Sequence, residues 1–123
     1  MKLKRIRHAG FTLIEVLVAL GIVAIALAAG TQATMALTRN AQRQSDVMLA
    51  QMCAENELIK ARLAKQMPAV GDAGFTCVQA DMTFGVTVST TPTLNPNFRR
   101  VDVQVVDAQE APVLRISTVV GRY

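Results

Sequence analysis

The chain has 123 residues and a formal net charge of +4. The first ten residues contain Lys2, Lys4, Arg5 and Arg7, and the nine basic residues that follow balance the nine acidic ones. The positive charge therefore belongs to the N-terminal segment and does not predict a nucleic-acid-binding surface. Such a surface would also need aromatic stacking partners, and this chain has no Trp, one Tyr and four Phe. The length predicts one small domain and excludes a large core.

An apolar run covers residues 11–30 and follows the basic segment directly. Its length matches the thickness of a bilayer core, which favours a spanning helix over a secretory signal peptide or a buried core helix. No Lys or Arg follows the basic segment before Arg39. The positive-inside rule therefore predicts a cytoplasmic N-terminus and places the residues after the span outside the inner membrane, in the periplasm of a Gram-negative cell.

A second helical stretch, residues 31–67, contains no Gly or Pro and is rich in good helix formers. Apolar residues at steps of three and four predict a seam that packs on the rest of the domain. The predicted seam consists of Leu49, Met52, Asn56, Ile59 and Leu63, with Asn56 as its polar member. Because proline cannot continue a helix, Pro68 predicts an end at about residue 67.

Beyond Pro68 the hydrophobic period changes from that of a helix to that of a strand. MTFGVTVST, RRVDVQVVD and PVLRISTVV alternate apolar and polar residues, and GFTCVQAD is a weaker candidate. Short, turn-rich connections predict an antiparallel meander. The predicted fold is α+β: a long N-terminal helix, membrane-spanning in its first half and amphipathic in its second, packed on an antiparallel sheet of three to four strands. Gly85 within a strand predicts a bulge or a close backbone approach.

The two cysteines fall on elements that are expected to pack together. Cys53 lies on the predicted helix and Cys77 on the first strand, in a compartment that permits oxidation. They can form a disulfide closing a loop of about 25 residues, or remain two separate buried thiols. No metal site is predicted, because the only histidine is His8 in the N-terminal segment and no CxxC or acidic cluster occurs.

No combination of side chains predicts catalysis. A nucleophilic cysteine needs an activating base, and His8 is expected on the other side of the membrane from both cysteines. The acids available for paired acid–base work are scattered over turns and strands: Asp72, Asp81, Asp102 and Asp107. We therefore expect no enzyme, no cofactor, no small-molecule substrate and no nucleic-acid partner. A membrane-anchored enzyme is the alternative of a different class.

The stretch GFTLIEVLVAL, which follows a short basic segment and opens a membrane helix, resembles the processing site of the type IV pilin and pseudopilin superfamily. The resemblance implies that a prepilin peptidase cuts between Gly10 and Phe11 on the cytoplasmic face and methylates the new amine of Phe11. Residues 1–10 would be a cleaved leader peptide and residues 11–30 the transmembrane and filament helix. Residues 31–123 would be a periplasmic pilin-like domain.

Glu15 is an acid within the apolar run. A carboxylate in lipid costs a few kcal/mol on insertion scales, which predicts a functional role and a specific partner. The resemblance implies that the partner is the amine of Phe11, one helical turn earlier, or the same amine of an adjacent subunit. The alternative is an acid close enough to the interface to remain hydrated.

Three further segments narrow the resemblance to one branch of the superfamily. LAQMCAENELIKARL, NFRRVDVQVVD and LRISTVVGRY are similar to the helix and closing strands of the I-type minor pseudopilins of type II secretion. This implies a structural subunit of the pseudopilus tip, held in inner-membrane lipid before assembly. It would associate with J-type and K-type minor pseudopilins and other pseudopilins, help to initiate assembly and support export of folded proteins. The alternative is a minor pilin of a type IV pilus or competence (DNA-uptake) system.

Overall fold

A computed structural model describes residues 9–122, so the basic residues of the predicted leader lie outside the described part. The elements follow in the order α1 (Leu13–Leu63), β1 (Gly71–Gln79), β2 (Met82–Pro92), β3 (Phe98–Val106) and β4 (Pro112–Gly121). The α+β fold with one long N-terminal helix and an antiparallel sheet is confirmed. The chain divides into two units after Asn40, ten residues beyond the boundary expected at residue 30.

Both ends of α1 differ from the prediction. The helix begins at Leu13 rather than Phe11, and it ends at Leu63 rather than at about residue 67. Lys65 has a φ of 48°, in the left-handed region that commonly follows a helix end. The residue before a proline is also pushed out of the helical region. The chain therefore leaves the helix before it reaches Pro68.

The four strands form one sheet in the order β1-β2-β3-β4, and all three pairings are antiparallel. The predicted meander is thus confirmed, including the weaker strand β1. On the central strands β2 and β3, apolar and polar side chains alternate between a buried and an outward face, as predicted. That inner face contributes Phe84, Val86, Val101, Val103, Val105 and Val120 to the core. The opposite face carries polar residues and is called the outer face below.

The predicted helix seam is wrong. The helix residues buried against the sheet are Ala50, Cys53 and Ala54, and Leu49 and Leu58 pack beside them. Of the predicted seam, only Leu49 is on this side, whereas the other four members are exposed. Two alanines on one face let the helix lie close to the inner sheet face, so the sheet packs on the side with the smaller residues.

Gly85 is a place of close approach, although the sequence predicted a bulge or the approach of a backbone. A Cβ at Gly85 would lie 2.9 Å from Cγ2 of Val106, which pairs with it from β3. The approaching group is therefore a side chain rather than a backbone. Because a branched valine has little freedom to move away, glycine is the residue that leaves room for it.

Candidate functional site

The helix start is fixed by a reciprocal hydrogen-bond pair between Thr12 and Glu15. Thr12 Oγ1 accepts a bond from the backbone N of Glu15 at 3.3 Å, and Glu15 Oε2 accepts one from the backbone N of Thr12 at 3.5 Å. The backbone N of Val16 donates to the Thr12 carbonyl at 3.2 Å, which makes Thr12 the N-cap. This is the capping box, whose sequence signal is Thr-x-x-Glu. Sequence reasoning missed the contribution of Thr12.

Phe11 and Glu15 lie on the same side of the chain at this end. Both line a shallow groove whose remaining walls are apolar: Val16, Ala19, Leu20 and Val23. Phe11 is exposed and precedes the helix. The structure therefore brings together Phe11 and Glu15, two of the residues that the sequence singled out. Glu15 is the one charged residue of an otherwise apolar groove.

Gly10 lies in non-helical chain and is exposed. A Cβ added at Gly10 would meet nothing within 4 Å in the described structure. Packing within this chain therefore does not explain why a glycine occupies the position. The peptide bond to Phe11 is also outside the helix, where a protease can reach it.

The first part of α1 is apolar on all sides. This helix is long and apolar enough to cross a membrane, with a mean hydropathy of 2.6 over an 18-residue window of which nothing is buried. In the described residues it is the single helix that meets this condition. Such a surface needs lipid or other apolar helices around it.

The C-terminal part of α1, in the unit that begins at residue 41, has a second apolar face. We call this face the outer stripe: Ala41, Met48, Met52, Ile59 and Leu63. Its members repeat at intervals of eleven residues, from 41 to 52 to 63 and from 48 to 59, which is about three helical turns. Met52 is 49% exposed and Ile59 50% exposed, and the stripe lies opposite the alanines that face the sheet. The helix thus offers a second apolar face, interrupted by Ser45, that its own sheet does not cover.

Cys53 and Cys77 form a disulfide between α1 and β1, with their Cα atoms 6.1 Å apart. Cys53 is buried in the core, and Cys77 pairs with Phe84 on the neighbouring strand. β1 is one of the two edge strands, and Cys77 is its one hydrophobic residue that packs on the core cluster. The bond therefore ties an otherwise exposed strand to the helix.

Asp102 is the most buried charged group among the described residues, at 7% exposure, although it lies on the outer face. The hydroxyl of Ser117 donates to its Oδ1, Arg100 Nε donates to the same atom at 3.2 Å, and Arg115 lies 3.8 Å from Oδ2. The Ser117 hydrogen bond and the two guanidinium groups lower the pKa of Asp102 against the opposing effect of burial. Asp102 is thus a structural anion that joins β3 to β4.

The acids considered for paired catalysis do not form one site. Asp72 accepts a hydrogen bond from Ser89 and Asp102 is paired as described, whereas Asp81 and Asp107 lie at the turns after β1 and β3. Within residues 9–122, no group of three or more His, Cys, Asp or Glu side chains could hold a metal ion. Two groups of residues do form a common surface: Phe11 and Glu15 at the helix start, and the members of the outer stripe.

Residues 44–121 match the family model described as type II secretion system (T2SS), protein I. The chain belongs to this family. Residues 5–31 match the prokaryotic N-terminal methylation motif, and this range includes Gly10, Phe11, the capping box and the apolar run. The type II secretion system protein I of Klebsiella pneumoniae is 34% identical over 116 residues, which cover 93% of this chain and 96% of that protein.

Family membership decides between the two functions that the sequence left open. The chain is a minor pseudopilin of type II secretion with a type IV pilin-like architecture, and the pilus or competence alternative is set aside. The methylation motif and the apolar helix make it an inner-membrane-anchored protein. Its partners are other pseudopilins.

Proposed function

We propose that this pseudopilin is a non-enzymatic subunit of the pseudopilus tip that associates with J-type and K-type minor pseudopilins and helps to initiate assembly. Through that role it supports export of folded proteins across the outer membrane. The observation that carries the proposal is the outer stripe of α1. A regularly spaced apolar surface on a helix fits another helix alongside it, and it has no evident use in a subunit that stays alone.

The start of the chain supports processing by a prepilin peptidase between Gly10 and Phe11, with methylation of the Phe11 amine. Among residues 9–122, nothing lies within 4 Å of a Cβ placed at Gly10, and an enzyme that approaches the bond closely would need a residue without a side chain here. The match to the methylation motif includes both residues. The helix begins only at Leu13, so the bond to be cut lies in exposed, non-helical chain.

Gly10→Val tests this assignment. We expect the full-length precursor to accumulate in the membrane, because a branched side chain would obstruct the approach of the peptidase. Mass spectrometry of the purified protein measures the N-terminus directly. Gly10→Ala is the matched control, since its small side chain is expected to permit cleavage. A Phe11 N-terminus in the valine variant would contradict the assignment.

For topology, we infer a cytoplasmic N-terminus and a periplasmic C-terminal domain. The basic residues before the span all precede Phe11, and the next one is Arg39. The Cys53–Cys77 disulfide supports the same orientation, because disulfides persist in the periplasm and are rare in the cytosol. Inner-membrane lipid would surround the apolar part of α1 until the subunit leaves for the fibre.

At the helix start, we infer that Glu15 pairs with the cationic amine of Phe11 or of an adjacent subunit once the leader has been removed. The capping contact uses Oε2, which leaves the other carboxylate oxygen for an amine. Charge pairing in low dielectric is strong, so it can orient a subunit as it joins the others. Thr12 would hold Glu15 in place for this pairing.

The outer stripe can be tested with Ile59→Glu. This change places a charge on the surface proposed to meet a neighbouring helix, while Ile59 is outside the core cluster of its own domain. We expect a secretion defect of at least about tenfold and weaker crosslinking to the J-type and K-type subunits, since a desolvated unpaired charge costs several kcal/mol. The melting temperature should stay close to that of the wild type.

The matched control is Lys60→Gln, at the next residue and on another face of α1. Both substitutions change the net charge by one negative unit, and Lys60 forms an exposed contact with Glu57 at 2.6 Å that contributes little to stability. We expect secretion to stay near the wild-type level in this control. Equal secretion in the Ile59 and Lys60 variants would contradict the role of the stripe.

A further inference from the structure

We propose that the end of the sheet at the β2–β3 loop is a docking surface for an acidic surface of a neighbouring pseudopilin. This inference rests on the proposed function and adds the place and chemistry of one contact. We call the surface the basic end, and it consists of Leu94, Phe98, Arg100, Val119 and Arg122. It is separate from the outer stripe, whose residues all lie on α1.

Leu94 is the most exposed large apolar residue of the described chain, at 108% of its reference area. It does not lie on a loose loop. Thr93 Oγ1 lies 2.8 Å from the Asn95 carbonyl and 2.9 Å from the Phe98 carbonyl, and the backbone N of Asn97 donates to Asn95 Oδ1 at 3.0 Å. A hydrogen-bonded loop therefore presents a large apolar side chain to solvent. Because the loop is already ordered, a partner that covers Leu94 has little conformational entropy to remove.

At the strand ends that border this loop, Phe98, Arg100 and Val119 share the outer face of the sheet. Arg100 pairs with Val119 across β3 and β4, and the Phe98 ring lies over Gly121, where a Cβ would be 3.2 Å from it. Phe98 is 44% exposed and Val119 57% exposed. The backbone N of Arg122 donates to the Asn97 carbonyl at 2.8 Å, which fixes the chain at this end. Aromatic residues and arginine, grouped in this way, are enriched in protein interfaces.

The charge of this end is positive because Arg99, Arg100 and Arg122 outnumber the two nearby acids, Asp72 and Asp102. Asp102 is shared by Arg100 and Arg115 and has little exposed surface. The turns after β1 and β3 lie at the opposite end of the strands and carry the acids Asp81, Asp107 and Glu110. Asp72, which accepts a hydrogen bond from Ser89, lies in the same cross-strand row as Asp102. Between that row and the β2–β3 loop the charged residues are arginines, so the sheet has a polarity along its strands, more cationic at the loop end and anionic at the turns of the other end.

This polarity identifies the kind of partner. A protein with an acidic surface complements the basic end, and the partners of this family are other pseudopilins. The present chain also shows that a pilin-like sheet can carry acids on its turns, so a neighbour with this architecture can supply them. An anionic lipid headgroup would also complement the positive charge, but it does not explain a fully exposed leucine held on a hydrogen-bonded loop.

The test is site-specific photocrosslinking in the native host with the full-length chain. A photoreactive phenylalanine analogue replaces Leu94 in one strain and Gln109, in the turn after β3, in the control strain. We expect light-dependent crosslinks from position 94 to another pseudopilin, identified by mass spectrometry. Crosslinks from position 94 only to lipid or to a second copy of this chain, or none at all, would overturn the proposal.

Two charge variants show whether the basic end acts through its charge. Arg122→Glu and the double variant Ala108→Glu/Gln109→Glu each change the net charge by two negative units, at opposite ends of the sheet. We expect Arg122→Glu to lower the crosslink yield from position 94 by at least about threefold, and the double variant to leave it unchanged. An equal loss in both, or a loss in neither, would count against the proposal.

A failure of this inference can be told from a failure of the proposed function. If a strain lacking the whole chain secreted normally, the proposed function itself would be wrong. If that strain failed to secrete while the Arg122→Glu variant secreted and crosslinked like the wild type, the basic end would have no role as a docking surface. Melting temperatures of the variants identify any loss of fold.

Discussion

Glu15→Leu should leave the chain inserted in the membrane and cleaved after Gly10, and should still reduce secretion by at least about tenfold. Insertion is unaffected because the change removes an acid from an apolar helix. Cleavage is unaffected because Gly10 and Phe11 are unchanged. The defect arises later, when the subunit leaves the membrane for the fibre, because the carboxylate would no longer pair with a cationic amine. Loss of one partner from a charge pair in low dielectric costs about 3–5 kcal/mol.

The capping box adds a second explanation for the same defect, and a further variant separates the two. Glu15→Gln keeps a side-chain oxygen that can accept the bond from the backbone N of Thr12 but removes the charge. If pairing with the amine is the role of Glu15, Glu15→Gln fails as Glu15→Leu does. If capping is the whole role, Glu15→Gln secretes nearly as well as the wild type, which would contradict the pairing.

The measurement combines a secretion assay with crosslinking to the J-type subunit and mass spectrometry of the N-terminus. Thr12→Ser is the matched control, because serine keeps the hydroxyl that accepts the bond from the Glu15 backbone N. It is expected to secrete normally. Partner crosslinks through the C-terminal domain can survive in the Glu15 variants while secretion falls. Wild-type secretion in both Glu15 variants would make Glu15 a tolerated interfacial acid.

The strands and their order were predictable because their side chains alternate between two environments. Phe84, Val86, Val101 and Val103 face the core as the period of two requires. The same pattern placed Asp102 on the opposite face, which is correct. Its burial was not predictable from the pattern, because it depends on Arg100 and residues of β4 that close over the carboxylate only once the sheet has formed.

The orientation of the helix was not predictable from hydrophobic spacing, because α1 has apolar residues on two opposite faces. The larger ones, including Met52 and Ile59, gave the stronger pattern, yet Ala50 and Ala54 face the sheet. A prediction from hydrophobic spacing assumes that the most hydrophobic face of a helix packs on the core of its own domain. In a subunit that assembles with others, that stripe can serve an external contact instead.

Of the site residues, Gly10, Phe11 and Glu15 were recognisable from a local motif, whereas the contribution of Thr12 was missed. The Thr-x-x-Glu signal was present in the sequence. Because an acid in an apolar run is unusual, Glu15 was explained only by its position in the membrane and not by helix capping. The end of the helix was also predicted too late. A proline gives the last position that a helix can reach, but the helix can end several residues earlier, as it does here at Leu63. Lys65 shows that the chain turned away earlier.

Cys77→Ser should lower the stability of the C-terminal domain by about 3 kcal/mol, which corresponds to a fall of roughly 10–20 °C in melting temperature. The cysteines are 24 residues apart in sequence, and their bond restricts the unfolded chain. The folded state also depends on it, because Cys77 is the residue that anchors the exposed edge strand β1 to the core cluster. The loss should therefore appear first in β1, as faster hydrogen exchange of its amides, before the rest of the sheet responds.

Reduction of the wild-type protein supplies the matched comparison. A reductant should lower the melting temperature of the wild type to that of Cys77→Ser and should leave the variant unchanged, since the chain has two cysteines and the variant retains one. Alkylation without reductant should label neither thiol of the wild type. Labelling of both thiols, or a wild-type melting temperature that does not respond to reductant, would show that β1 is held by its hydrogen bonds to β2 alone. In that case the position of β1 in the domain would depend on its pairing with β2 and not on its covalent link to α1.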